Sequence, residues 1–248
     1  MNVNPLSSPF SEQRPPPSAP EKARLSATGV RVRYGGSVAL DGVEVIVRDG
    51  ESVAIMGPSG SGKSTLLHAM AGIISPDEGT VTLQTRDGPR ELGGLSDAAR
   101  SAVRLREFGF VFQQGMLIPE LTVVENVAMP LLLSGMGKSA AMTRAALLVG
   151  ELGLAGFEGR RIGQLSGGQA QRVAIARARA TDAHVVFADE PTGALDSRTA
   201  SDVLDVLLAE TTVRGRALVM VTHDEDVAGR CSRVIRLRDG RIVESDTR

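Results

Sequence analysis

Nine consecutive residues carry the strongest chemical signal in the chain: Gly57-Pro58-Ser59-Gly60-Ser61-Gly62-Lys63-Ser64-Thr65. They satisfy the pattern G-x-x-x-x-G-K-[ST], in which glycines let backbone N–H groups converge on phosphate oxygens. In such a loop the lysine, Lys63, reaches the β- and γ-phosphates, and the Ser64 hydroxyl ligates Mg²⁺. The pattern becomes a phosphate site only between a strand and a helix. Both are legible. Ser52 to Met56 is a short apolar run that suits a buried strand, and Leu66 to Ala71 suits a helix. The free N–H groups and dipole of the helix start add positive potential. Alone, the loop specifies a nucleotide phosphate and does not choose between adenosine and guanosine.

Two further runs add chemistry. Val185-Val186-Phe187-Ala188-Asp189-Glu190 is an apolar strand that delivers two acids at its C-terminal end. Ligands of open α/β sheets sit at those ends. Asp189 can hold Mg²⁺, directly or through water, and Glu190 can polarise an attacking water, which is what phosphoanhydride hydrolysis needs. The other run is Leu165-Ser166-Gly167-Gly168-Gln169, followed by Ala170 to Ala178. Ser166 is a good N-cap, Gly167 and Gly168 admit an anion close to the backbone, and a helix starts there. One chain therefore carries two phosphate-binding helix ends.

The second helix end resembles the signature motif of ATP-binding-cassette (ABC) ATPases, and the resemblance spans roughly residues 25 to 245. It implies ATP and Mg²⁺ as cofactors. It also implies that the two phosphate sites meet across a head-to-tail dimer, with ATP between the phosphate loop of one copy and the signature of the other. A two-fold arrangement then gives two equivalent sites. Further residues match the family in order. Tyr34 is similar to the aromatic that stacks on adenine. Gln113 resembles the Q-loop glutamine that senses Mg²⁺ and γ-phosphate. Ala194-Leu195-Asp196 resembles the D-loop, and His223 the switch histidine that contacts γ-phosphate. His68 and His184 have no such context and are read as structural.

Finer features resemble the macrolide-exporter and lipoprotein-release group of that family, with the cell-division type close by. They are Glu120 to Val127, Leu95-Ser96-Asp97 with Arg100 and Arg104, and Pro191 to Ser197. The resemblance implies an integral membrane permease on a separate chain and a peripheral position on the cytoplasmic face of the membrane. Met116, Leu117 and Ile118 are expected to be exposed as part of the permease dock. Arg160 to Gln164 departs from the proline-containing stretch usual before the signature, which leaves the local backbone open. Two other classes stay open: a transmembrane signalling complex that controls an extracytoplasmic hydrolase, and a soluble ABC machine. Against the soluble class, no second cassette and no coiled-coil insertion is visible.

These residues need elements to position them. Val30, Val32 and Tyr34, and then Val43, Val45 and Val47, alternate with neighbours as half-buried strands do, around expected turns at Gly35-Gly36 and Asp41-Gly42. Gly79 to Leu83 reads as another strand, Thr85 to Gly94 as a polar surface loop, and Phe108 to Phe112 as a buried strand. Residues 116–180 turn helical. Val185 to Ala188 and Leu218 to Val221 are unbroken apolar runs, as in sheets covered on both faces. Val203, Leu204, Leu207 and Leu208 mark a helix between them. A hairpin around Asp239-Gly240 closes the chain. The expectation is an α/β fold: a P-loop (RecA-like) core with an N-terminal antiparallel β subdomain and an inserted α-helical subdomain at about 115–180.

Composition sets the outer bounds. The chain has 248 residues, 42% hydrophobic, enough for a core without staples. A formal net charge of −1 argues against a nucleic-acid partner. One cysteine, Cys231, excludes an internal disulfide. No apolar run approaches 18 residues. The most apolar, Val127 to Leu133, is short and contains Pro130. No secretory signal is expected at the N-terminus. Residues 1–24, rich in proline and serine, are expected to be a disordered tail before a domain of residues 25–248.

Overall fold

A computed structural model of the chain describes residues 23–113 and 115–247. The expected N-terminal tail lies outside the described residues, apart from its last two positions, which begin the first strand.

Two sheets organise the molecule. β1 (Ala23–Tyr34) turns through Gly35-Gly36 into β2 (Ser37–Arg48). With β4 (Glu78–Thr85) and β5 (Gly88–Glu91) they form an antiparallel sheet ordered β2-β1-β4-β5. The second sheet is ordered β10-β9-β3-β8-β7-β6. Here β3 (Ser52–Met56), β6 (Phe108–Phe112), β7 (Val185–Asp189), β8 (Ala217–Val221) and β9 (Arg233–Arg238) run parallel. β10 (Arg241–Thr247) closes the edge antiparallel. The helices are α1 (Lys63–Met70), α2 (Asp97–Glu107), α3 (Val123–Leu133), α4 (Lys138–Glu151), α5 (Gly167–Arg179), α6 (Ser197–Glu210) and α7 (Glu225–Ala228). Of these, α3 to α5 fall between β6 and β7.

The unbroken apolar strands explain the layering. Every residue of β3 and β8 is buried. Side chains alternate between faces along a strand. Val53 and Ile55 of β3, Phe187 of β7 and Val219 of β8 join Leu25, Val47 and Leu67 in a core beneath the antiparallel sheet. Their neighbours Ala54, Ala188 and Met220 join Val127, Leu148, Val173 and Leu204 in a second core beneath the helices. A strand that feeds two cores cannot alternate apolar with polar.

Three expectations change. Asp41-Gly42 is no turn: β2 runs through it with a bulge, two residues of β1 (Val30 to Val32) spanning three of β2 (Leu40 to Val43). Gly42 supplies a φ of 71° there. Asp41 accepts hydrogen bonds from Arg31 and Arg241, and its N–H donates to the Gly240 carbonyl, tying the two sheets. Thr85 to Gly94 is not wholly a loop, because Gly88–Glu91 pairs with β4. That strand is polar on both faces, so it has no period to read. The departure at Arg160 to Gln164 folds regularly: a single 3₁₀ turn, Ile162–Gln164, follows a bridge from Arg161 to Thr122. Among the described residues no helix is long and apolar enough to cross a membrane.

Candidate functional site

The parallel register assembles the site. Ile55 pairs with Val221, Val221 with Asp189, and Asp189 with Phe112. Four strand ends therefore lie level. The residues just beyond them, Gly57, His223, Glu190 and Gln113, emerge at one edge although 166 residues of sequence separate the first from the last of these, His223 minus Gly57.

The loop after β3 needs its glycines. Gly57, Gly60 and Gly62 hold φ of 147°, 78° and 103°. A Cβ would stand 2.1 Å from the Leu237 carbonyl oxygen at Gly57 and 2.5 Å from that of Ala39 at Gly62. The loop is thus wedged between β9 and β2 by backbone alone. Lys63 Nζ donates to the carbonyls of Gly57 and Pro58, both at 2.9 Å, which holds its charge at the loop mouth. Among the described residues, the buried Ser61 hydroxyl has no hydrogen-bond partner. Tyr34, Ser59, Gly60, Lys63, Ser64, Thr65, Asp189 and Glu190 line a cavity of about 440 Å³ over this loop. The Tyr34 ring is 56% exposed at the end of β1, free to stack.

The carboxylates are tuned by position. Burial pushes Asp189 above the usual carboxylate range, Glu190 adds to the rise, and His68, Lys63 and the Ser64 hydroxyl oppose it. A desolvated carboxylate hydrogen-bonded to a serine hydroxyl is a hard oxygen pair, so Ser64 and Asp189 fit a divalent cation such as Mg²⁺. Glu190 sits at φ 47°, a left-handed conformation that a non-glycine residue rarely keeps. It is held from two sides. Its N–H donates to the Val221 carbonyl at 3.0 Å, and its Oε1 lies 2.9 Å from His223 Nδ1. That hydrogen bond, with the charge of Glu190, raises the His223 imidazole. The Gln113 amide lies against the Glu190 loop, where a Cβ on Gly193 would stand 3.1 Å from its Nε2.

The remaining sequence-read residues lie elsewhere. None of Ser166, Gly167, Gly168, Gln169 or Asp196 lines the cavity. Ser166 caps α5 in a capping box: its hydroxyl accepts from the Gln169 N–H at 3.3 Å, and Gln169 Oε1 accepts from the Ser166 N–H at 3.0 Å. Gly167 and Gly168 have a packing reason beyond anion approach. A Cβ would stand 2.9 Å from Leu195 Cδ2 and 2.5 Å from Thr199 Cγ2. Asp196 caps α6 by accepting from the Thr199 N–H at 3.1 Å, and hydrogen bonds from the Thr199 hydroxyl and then this N–H hold its carboxyl below the usual range. The expected exposure of Met116, Leu117 and Ile118 divides: Met116 and Ile118 are exposed, but Leu117 is buried in the helical core. His68, read as structural, follows Ser64 by one helical turn, and its charge acts on Asp189. Spacing i, i+4 from a site residue was the signal for it. Sequence reading also missed Gln171 and Arg177 of α5, whose side chains reach the loop around Gln113.

The ABC transporter family model matches residues 40–193. The lipoprotein-releasing system ATP-binding protein LolD of Geobacter metallireducens is 46% identical over 204 residues, which cover 82% of this chain and 89% of that protein. The macrolide export ATP-binding/permease protein MacB of Nitrosomonas europaea is 44% identical over 228 residues, 88% of this chain. This chain spans only 33% of that longer relative. A dimeric ATP-binding cassette, MJ0796, in a post-hydrolysis state bound to ADP and Pi superposes with a TM-score of 0.79 at 38% identity, over 90% of this chain and 98% of that one. On the phosphate loop, the level strand ends and these matches, the chain belongs to the ABC transporter family and is an ATPase cassette.

Proposed function

We propose that this chain hydrolyses Mg²⁺-ATP as a head-to-tail homodimer and drives a separate membrane permease of the lipoprotein-release or macrolide-export kind from the cytoplasmic face of the membrane. One observation carries the dimer: the phosphate cavity and the capped N-terminus of α5 are separate places on one chain, and no signature residue lines the cavity. Each place alone is half of an anion site. A second copy related by a two-fold axis supplies the other half to both.

In this reading, Tyr34 stacks on the adenine, the loop N–H groups from Gly57 to Thr65 cradle the phosphates, and the Lys63 ammonium moves from two carbonyls to phosphate oxygens. Ser64, Asp189 and Gln113 would hold Mg²⁺. The bound cation supplies neutralisation of phosphate charge. Glu190 orients the attacking water, and His223 fixes the Glu190 carboxylate from the β8 side. Ser166, Gly167, Gly168, Gln169 and Asp196 face the partner's nucleotide. The matches to an ATP-binding protein of a lipoprotein-releasing system and to an ATP-binding/permease protein support a membrane permease as the partner.

The composite site has a direct test. Lys63→Ala and Ser166→Arg each disable both sites of a homodimer. A mixed dimer contains one site with both residues intact and one with both lost. Co-purified mixed dimers should therefore occlude about one ATP where either homodimer occludes none. Absence of occlusion in the mixture refutes the trans arrangement.

A further inference from the structure

Two side chains of α5 bracket Gln113. Gln171 is 3% exposed, and its Nε2 donates to the Phe112 carbonyl at 2.9 Å. Arg177, further along the same helix, forks onto two carbonyls, Met116 at 2.7 Å and Gly115 at 2.7 Å. The Gly115 N–H donates back to Phe112 O at 2.8 Å, so the bonds close around Gln113 from before and behind. Gly115 and Met116 hold φ of 67° and 43°. Left-handed backbone is uncommon for a residue such as methionine and persists where surroundings over-determine it.

Arg177 is placed at a cost. Burial pushes its guanidinium below the usual arginine range. Among the described residues it has carbonyl partners and no carboxylate. A desolvated cation without a counter-ion is a poor stabiliser. Its donors go to a turn that the chain would not otherwise favour. A helix held only by packing needs neither this cation nor a buried glutamine.

We propose that Gln171 and Arg177 are positioning residues for Gln113, which join the signature helix and the loop after β6 into one body. Displacement of the N-terminus of α5, where Ser166 engages the partner's nucleotide, is then delivered to the glutamine beside Glu190 of the same chain. This rests on the reading of Gln113 as a nucleotide-sensing residue.

The test uses the full chain with three single variants, Gln171→Met, Arg177→Lys and Gln113→Ala, and the doubles that combine each of the first two with the third. Lysine keeps the charge but cannot fork onto two carbonyls. Hydrogen exchange of the Gly115 amide, measured without nucleotide, should quicken roughly tenfold in Gln171→Met and Arg177→Lys while the melting transition stays cooperative. Their kcat should fall roughly tenfold with KM for ATP within about twofold, because binding contacts are untouched. Each double should be no slower than Gln113→Ala alone, since the pair acts through Gln113. Normal turnover in both single variants, or additive losses in the doubles, overturns the proposal. Wild-type turnover in Gln113→Ala instead overturns the sensing role on which it rests. If Gln171→Met fails to fold, Arg177→Lys, a change at the partly buried Arg177, decides.

Discussion

Glu190 shows how much one residue's setting matters. A carboxylate at the end of an apolar strand is common, but here it is held at φ 47° between the Val221 carbonyl and the His223 imidazole. Such a group is aimed before substrate arrives. Glu190→Gln keeps the shape and removes the proposed base, so ATP binding should persist while turnover falls roughly 100-fold or more. An ATP-bound dimer should accumulate, visible by light scattering. Near-normal hydrolysis would remove Glu190 from the reaction. Tyr34 offers a cleaner readout, because the chain has one tyrosine and no tryptophan. Ring stacking contributes up to about 1.5 kcal/mol beyond buried area, or roughly tenfold in affinity. Tyr34→Ala should therefore weaken Mg²⁺-ATP binding by up to about tenfold, Tyr34→Phe should preserve it, and saturating nucleotide should change the tyrosine emission. Unchanged emission with wild-type affinity in the alanine variant makes Tyr34 a sheet residue only.

At the scale of elements, helix ends fix geometry more than helix bodies do. Ser166, Asp196 and Thr122 cap α5, α6 and α3. At α3 the box is complete: Glu125 Oε2 accepts from the Thr122 N–H and hydroxyl, both at 2.8 Å. The backbone hydrogen bond first, then the hydroxyl, holds Glu125 below the usual carboxylate range. A carboxyl depressed in the folded chain stabilises it above the unfolded pKa and ceases to do so as pH falls through the folded one. The contribution from Glu125 is thus complete above about pH 4.5 and declines progressively as pH falls from there through the lowered folded pKa. NMR titration should place Glu125 below the usual glutamate range, and Thr122→Ala should move it back up and lower the melting temperature by a few degrees at neutral pH. An unshifted Glu125 would mean that the box does not persist in solution.

The whole molecule adds a surface that no motif marks. Ile73, Leu105, Phe110, Met129 and Leu133 line an apolar groove of about 360 Å³ between the parallel sheet and the helices that follow β6. Leu133 is 68% exposed and Ile73 42%. Arg104 and Arg177 also line it and give it a cationic margin. As part of the proposed permease contact, the groove suits a short helix with an apolar face and an acidic side chain. Leu133→Asp should abolish stimulation of the ATPase by permease-containing membranes and leave basal turnover within about twofold, as expected for a surface change remote from the loop. Retained stimulation would place the contact elsewhere, with exposed Ile118 and Met116 the next residues to test.

The sequence alone determined the local chemistry. Phosphate loop, acid pair and capped glycine helix are each written within ten residues, because backbone conformation, caps and the reach of a side chain are local matters. The parallel strands were legible for the same reason: a strand buried on both faces must be apolar throughout. Tertiary structure decided what meets what. Gln113, Glu190 and His223 converge because β6, β7 and β8 pair in one register, a relation between strands far apart in sequence. It gave Gly167 and Gly168 their neighbours in Leu195 and Thr199, and it turned Asp41-Gly42 from an expected turn into a bulge that ties two sheets. It also buried Leu117 beside an exposed Met116. Which face of a helix is covered, and which glycine has backbone against it, depends on elements supplied by distant stretches of chain. That is why residue types pointed to nucleotide chemistry here, while only the packed sheets and helices brought the candidate residues together.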